Sequence, residues 1–267
     1  MKKINLAFSP CPNDTFVFYA LVHDKIDTEG FRFEYMTADV EALNQLAATG
    51  FPDMVKVSYH AWLYFRYQYD LLRSGSALGF GNGPLLISAK KIPTNDLAGK
   101  VIAIPGEFTT AHLLLKFFTG GKFIKKIKVF SEIEDAVLHG EADAGVIIHE
   151  NRFTYAKKGL IKLADLGEYW QDKTGSAIPL GGIIARKDLG SETVTTLDRI
   201  LRRSVEWAFS NPDETMEFVR KHAQEMDEEV MRKHIALYVN QFTIDLGSEG
   251  EKAIRKLSEY EAQFTRE

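Results

Sequence analysis

Residues 4–14 read INLAFSPCPND, a short apolar run that passes into a turn bounded by two prolines. The apolar run predicts a strand, and the residues from Thr15 to Leu21 follow with the spacing of a helix. Strands and helices then alternate along the chain, which is typical of parallel α/β architecture. The fold class is therefore predicted to be α/β.

The alternating elements fall into two sets. The first set has three predicted strands, at 4–8, 31–35 and 54–58. The second set begins near residue 100, with predicted strands at 101–104, 128–130 and 144–148. A strand at 182–185 is predicted to return the chain to the first set, and Pro212 divides the helical tail.

This order predicts two lobes connected by crossings near residues 85–95 and 175–182. Residues 1–88 with 182–267 are predicted to form a larger, discontinuous lobe, and residues 89–181 a smaller one. Open α/β sheets bind ligands beyond the carboxyl ends of their strands. We therefore expect a ligand cleft between the lobes.

Composition excludes several classes of protein. The chain has 267 residues, 33 basic and 37 acidic, and a net charge of −4, which argues against a nucleic-acid or anionic-membrane partner. A single cysteine excludes an internal disulfide framework. No apolar run approaches the roughly 18 residues of a membrane span, and the short run before Ser9 leaves no room for a secretory signal. A cytoplasmic location is expected.

Four polar segments fall at predicted strand ends: 9–15, 58–60, 106–111 and 149–151. In the third, a glycine turn leads into a helix whose first turn carries Thr109 and Thr110. Such a helix start can bind an anion, or a threonine can simply cap the helix, and the two roles are compatible. Ser9 and Ser58 add hydroxyls, so the segments predict a site for a small anion.

The first segment also contains Cys11, between two prolines and beside Asn13 and Asp14, either of which can cap the following helix. Cys11 has no activating base next to it in sequence, and we interpret it as a packing residue rather than a nucleophile. Asn82 lies in a glycine-rich loop near the first crossing, where it is a candidate ligand contact.

His149 follows four apolar residues at the carboxyl end of a strand, so it is predicted to face the cleft. Histidine can accept a proton near neutrality, and a hydrogen-bonded structural histidine is the equal alternative. His60 is a candidate for supporting the site, whereas His234 is predicted to lie on a helix surface or at a helix end. No H-x-x-x-H pattern occurs, so no metal site is predicted.

Aromatic residues crowd segment 59–69. They can stack on an aromatic ligand, or they can pack in the core and at a subunit contact. The sequence leaves these roles open, as it leaves open whether the chain forms a homodimer.

Several motifs together resemble a known family. They are SPCPNDTF at 9–16, KVSYH at 56–60, GNGP at 81–84, PG at 105–106 with TTA at 109–111, and IIHE at 147–150. The sequence resembles the 1,4-dihydroxy-6-naphthoate synthases of the futalosine route to menaquinone, over nearly the whole chain. The resemblance implies a periplasmic-binding-protein-like fold of type II that acts as an enzyme.

The resemblance also implies an activity: a lyase-type conversion of cyclic dehypoxanthine futalosine into 1,4-dihydroxy-6-naphthoate, with no metal, flavin or nucleotide. It implies His149 as the general base. The implied substrate-binding residues are Ser58, Thr109 and Thr110, with Ser9, Asn13, Asn82 and Lys56 as further contacts. The alternatives are a chorismate dehydratase of the same pathway and a non-catalytic solute-binding protein.

Overall fold

A computed structural model describes residues 2–223 and 227–264 of the chain. The strands are β1 (Lys2–Phe8), β2 (Phe31–Thr37), β3 (Met54–Ser58), β4 (Tyr69–Leu71), β5 (Ala77–Gly79), β6 (Leu85–Ser88), β7 (Val101–Ile104), β8 (Ile124–Ile127), β9 (Ala144–Ile147), β10 (Ile161–Asp165) and β11 (Ile178–Arg186). They form two sheets, as the two predicted sets require.

The helices surround these sheets. They are α1 (Pro12–Val22), α2 (Val40–Ala48), α3 (Tyr59–Phe65), α4 (Thr110–Thr119), α5 (Ile133–Leu138), α6 (Asn151–Thr154), α7 (Leu166–Thr174), α8 (Ser191–Ser210), α9 (Pro212–His222), α10 (Glu228–Tyr238), α11 (Gln241–Ile244) and α12 (Gly247–Phe264). The break before Pro212 falls where the sequence predicts it. No helix within the described ranges is long and apolar enough to cross a bilayer.

The first sheet has the order β2-β1-β3-β11-β4, with β5 also paired to β11. Strand β1 is parallel to β2 and β3, so the first set forms the predicted βαβαβ unit. Strand β11 runs antiparallel to β3 and returns the chain to this sheet. The carboxyl ends of β1 and β3 therefore lie side by side, which places Ser9 next to Ser58 in the topology.

The second sheet has the order β10-β6-β9-β7-β8. The predicted strand at 128–130 is wrong, because the strand in this region is β8, which ends at Ile127. Strand β8 pairs only with β7, and Ile124 and Ile127 are more than half exposed. The sequence of β8, IKKI, shows neither the buried apolar run of β3 and β9 nor the apolar–polar alternation of β2. Phe130 is buried in a short 3-10 turn instead.

The lobe boundaries stay a prediction, but sheet membership favours an earlier first crossing. Strand β6 belongs to the second sheet, whereas the predicted larger lobe extends to residue 88. The chain leaves the first sheet after Gly79 and enters the second at Leu85. Residues 1 and 265–267, at the ends of the predicted larger lobe, lie outside the described part.

Candidate active site in the cleft

One cavity opens between the two sheets and encloses about 650 Å³ including its mouth. Its wall contains all eight residues that the sequence proposes for the site: Ser9, Asn13, Lys56, Ser58, Asn82, Thr109, Thr110 and His149. Segments from both sheets contribute to the wall. No residue of the aromatic segment 59–69 is among its lining residues; Tyr59 and Tyr69 are fully buried in the core instead.

A buried ion pair between α1 and β3 forms one part of the wall. The Nζ atom of Lys56 lies 3.2 Å from Oδ1 of Asp14, and both side chains are less than one-tenth exposed. Ser9 donates to Asp14 from its hydroxyl (2.7 Å) and from its backbone (3.2 Å), and Asn13 donates at 2.8 Å. These donor groups of Ser9 and Asn13 thus bind the Asp14 carboxylate.

The sequence indicates Asn13 or Asp14 only as a possible helix cap and does not reveal this role of Asp14. Neither Asn13 nor Asp14 caps α1, because Cys11 is the N-cap residue and makes no side-chain cap bond. Asp14 can pair with Lys56 because parallel strands β1 and β3 bring residues 14 and 56 together. Sequence spacing alone contains no signal for that pair.

The start of α4 contributes an anion-binding surface of backbone groups. The Thr109 hydroxyl accepts from the backbone N–H of His112 (3.2 Å) and donates to the Gly106 carbonyl (2.9 Å). The Thr110 hydroxyl donates to the Leu180 carbonyl (2.8 Å) and accepts from the His60 backbone (3.2 Å). Both hydroxyls are therefore engaged. Because the N–H groups of His112 and Leu113 already bond to Thr109, those of Thr110 and Ala111 are the first-turn donors left for a ligand.

Glu41, in α2, links that helix to the loop before α4 through hydrogen bonds. Its carboxylate accepts from the backbone N–H groups of Glu107 (3.1 Å) and Phe108 (3.2 Å). A Cβ on Gly106 would overlap this carboxylate, so the loop needs glycine at that position. Burial raises the pKa of Glu41 above its usual value. Glu41 also escaped the sequence analysis, because its partners lie 66 and 67 positions away.

We expect the replacement Glu41→Gln to change how stability depends on pH. The raised pKa of Glu41 means that the folded protein holds this proton more tightly than the unfolded chain does. This tighter proton binding stabilises the folded protein fully at pH values below the pKa that Glu41 has in the unfolded chain. The stabilisation is lost as pH rises through the pKa that Glu41 has in the folded protein. Wild-type protein should therefore lose stability relative to Glu41→Gln as pH rises from about 4 towards neutrality.

Urea unfolding of both proteins across this pH range measures the difference. Glu229→Gln, a change of the same chemistry at a side chain that is 75% exposed, is the matched control. A stability difference between wild type and Glu41→Gln that stays constant with pH would contradict the prediction.

His149 follows β9 in a left-handed backbone conformation, with φ of 57°. Its ring contacts the edge of Phe130 and lies nearly parallel to His234, with centroids 6.1 Å apart. Its Nε2 atom is buried and has no hydrogen-bond partner in the described structure. Burial lowers the pKa of His149 to about 4, although the charge of Asp14 opposes this shift. The imidazole is consequently neutral at physiological pH and can accept a proton.

The prediction for His234 is wrong. It is fully buried rather than on a helix surface, because α10 packs against α1. Its Nε2 atom lies 2.9 Å from Oδ1 of Asn13. His60 lies behind the wall as expected, with Nδ1 3.2 Å from the Thr109 carbonyl.

Cys11, His149 and Glu150 form a cluster that sequence spacing does not reveal. One potential ligand atom from each lies within 4.8 Å of the other two. Burial raises the pKa of the Cys11 thiol well above its usual value, so the thiol is protonated. That state agrees with a packing residue rather than a nucleophile.

Asn82 is fully buried, and neither atom of its side-chain amide has a hydrogen-bond partner among the described residues. A buried amide without partners is unfavourable by about 1–3 kcal/mol for each unmet group. Because Asn82 lines the cavity, a ligand that both donates and accepts would satisfy it. Tyr238, at the end of α10, is a further wall residue that the sequence analysis did not propose.

Fold and cavity together define a two-lobed α/β protein of the periplasmic-binding-protein-like type II fold, as predicted. The chain is similar to the alkanesulfonate-binding protein of Xanthomonas axonopodis bound to MOPS, with a TM-score of 0.72, 14% identity and coverage of 98% of this chain and 93% of that chain. This likeness shows the fold alone. The model of the menaquinone biosynthesis family matches residues 4–263, and the chain belongs to that family.

Two curated relatives support the same assignment. The chain is 44% identical to a 1,4-dihydroxy-6-naphthoate synthase of Thermus thermophilus over 96% of this chain and 93% of the relative. It is also 44% identical to such a synthase of Streptomyces coelicolor, over 95% of this chain and 91% of the relative. A crystal structure of a protein from Archaeoglobus fulgidus matches with a TM-score of 0.93, 36% identity and 98% coverage of each chain. The resemblance drawn from the motifs is confirmed.

Proposed function

We propose that this chain is an enzyme of menaquinone biosynthesis that converts cyclic dehypoxanthine futalosine into 1,4-dihydroxy-6-naphthoate. The identity of 44% to two synthases of that name, over nearly the whole chain, carries the proposal. The convergence of the motif residues on one cavity supports it. The likeness to solute-binding proteins is confined to the fold, at 14% identity, so it does not favour the non-catalytic alternative.

The helix start at α4 is proposed to bind the substrate carboxylate. Its first-turn backbone N–H groups and the positive end of the helix favour an anion without a cationic side chain. Lys56 is already paired with Asp14, so the wall carries no unpaired cation at that position. The Asn82 amide is proposed to bind a substrate hydroxyl, which can both donate and accept.

His149 is proposed to be the general base. The neutral imidazole removes a proton from the substrate, which starts an elimination that releases the sugar-derived fragment and lets the second ring become aromatic. Aromatisation supplies much of the driving force, so the protein chiefly orients the substrate, supplies one base and excludes water. Contact between Glu41 and the loop before α4 joins the two sheets beside the cavity and supports that exclusion.

The test is to incubate the purified chain with cyclic dehypoxanthine futalosine and follow 1,4-dihydroxy-6-naphthoate by chromatography with mass detection. We expect product only with intact protein. A parallel incubation with chorismate tests the dehydratase alternative. Dehydration of chorismate, or no naphthoate from the futalosine derivative, would contradict the proposal. The cytoplasmic location stays a prediction, and whether the chain dimerises stays open.

A further inference from the structure

The cluster of Cys11, His149 and Glu150 lies at the back of the cavity wall. A sulfur, a ring nitrogen and a carboxylate oxygen lie within 4.8 Å of one another. His149 is shared with the cavity, whereas Cys11 and Glu150 are buried behind it. The catalytic proposal uses only the imidazole of this group, so the cluster as a whole has no assigned role.

A fourth potential ligand, a second imidazole nitrogen, borders the cluster. The Nδ1 atom of His234 lies 3.9 Å from Oε2 of Glu150, and His234 is fully buried. This Nδ1 atom and the Nε2 atom of His149 have no hydrogen-bond partner in the described structure. Two imidazoles thus have buried, unused nitrogens in one small region. Since burial without a partner is unfavourable, a bound species that accepts their lone pairs would be stabilised.

The types of ligand atom in the cluster indicate which kind of metal ion could bind there. Thiolate, imidazole and carboxylate are the ligands that zinc takes in proteins, at about 2.0–2.3 Å in tetrahedral geometry. A hard cation such as Mg²⁺ or Ca²⁺ prefers oxygen ligands throughout, which this cluster does not offer. The donors of Cys11, His149 and Glu150, within 4.8 Å of one another, need side-chain movement of only about 1 Å to reach tetrahedral spacing.

We propose that Cys11, His149 and Glu150, with His234 as the fourth ligand, bind Zn²⁺ reversibly, and that the bound ion inhibits the enzyme by withdrawing His149 from proton transfer. On binding, the Cys11 thiol loses its proton to solvent and its sulfur binds the metal. The metal enters through the cavity, because His149 is in the wall. Asp14 is not a competing ligand, since it is paired with Lys56.

Cobalt(II) tests the site without any turnover, so the result does not depend on the proposed function. The full-length chain is freed of metal with a chelator and titrated with Co²⁺. We expect near-ultraviolet thiolate-to-cobalt absorption and visible bands of tetrahedral Co²⁺, both removed by added Zn²⁺. The Cys11→Ser variant should lack the thiolate absorption, and His139→Asn, a change at an exposed histidine, should keep it.

The inhibitory part rests on the proposed function and is tested with the turnover assay. Zn²⁺ should inhibit wild type, and Cys11→Ser should keep its activity while losing sensitivity to Zn²⁺ by about 10–100-fold. Cys11→Ala replaces Cys11→Ser if the hydroxyl prevents folding. A Co²⁺ complex of wild type without thiolate absorption would overturn the site. Equal Zn²⁺ inhibition of wild type and Cys11→Ser, or metal binding that leaves the wild-type rate unchanged, would overturn the inhibitory role.

Discussion

The replacement His149→Asn is expected to lower kcat by at least about 100-fold while ligand binding changes only a few-fold, the usual effect of losing a general base. The imidazole of His149 is neutral at physiological pH because burial lowers its pKa to about 4. Asparagine cannot accept a proton at that pH. The helix start of α4 and the Asn82 amide remain in place, so a carboxylate ligand should still bind.

Asparagine is the better replacement because His149 has φ of 57°. Asparagine adopts this left-handed region readily, whereas alanine adds backbone strain. With alanine, a loss of activity could come either from the missing base or from a disturbed structure. The measurements are steady-state kinetics and calorimetric binding of 1,4-dihydroxy-6-naphthoate. His139→Asn, at an exposed histidine, is the matched control. Turnover of His149→Asn at the wild-type rate would show that His149 is not the base.

The parts of the fold that the sequence predicts are those whose pattern is local. Strand β1 and helix α1 follow directly from the apolar run and the proline turn, and α9 begins at Pro212 as expected. Strand β8 was misplaced because it lies at a sheet edge, where the isoleucines at its two ends are exposed and two lysines separate them. A strand is visible in sequence when it has a buried apolar run, as β3 has, or an apolar–polar alternation, as β2 has; β8 has neither.

The candidate site likewise has some features that are encoded locally in the sequence and others that are not. Strand ends and helix starts could be found because each is encoded by a few adjacent residues. The roles of Asp14 and Glu41 could not be found from the sequence, since each depends on a partner from a distant segment. Likewise, the sequence identifies Thr110 but does not show that its hydroxyl is already bonded to Leu180 and His60.

Several buried polar atoms that lack a partner in the described structure lie around the cleft. The Asn82 amide and the Nε2 atom of His149 are buried without partners in the wall, and Nδ1 of His234 is behind it. In a core with no ligand site, such atoms would lower the stability of the folded protein and serve no function. Beside a cavity they are arranged before the ligand arrives, which reduces the reorganisation that binding and reaction require.

The second large effect concerns the buried pair of Asp14 and Lys56. Asp14→Asn is expected to lower the free energy of unfolding by about 3–5 kcal/mol, because it leaves the ammonium of Lys56 buried without a counter-charge. The new amide also directs a donor towards groups that donate already, from Ser9 and Asn13. Urea unfolding measures the loss. Asp213→Asn, at a side chain that is 86% exposed in a surface ion pair, should change stability by only about 0.5 kcal/mol.

A second substitution separates the unpaired charge from other causes. Lys56→Met in the Asp14→Asn background removes the buried ammonium and should recover most of the lost stability, because the remaining groups are neutral and of similar volume. If Asp14→Asn acted mainly by disturbing the turn around Ser9, the double variant would be no more stable than the single one. Equal stability of the single and double variants would therefore reject the ion pair as the cause.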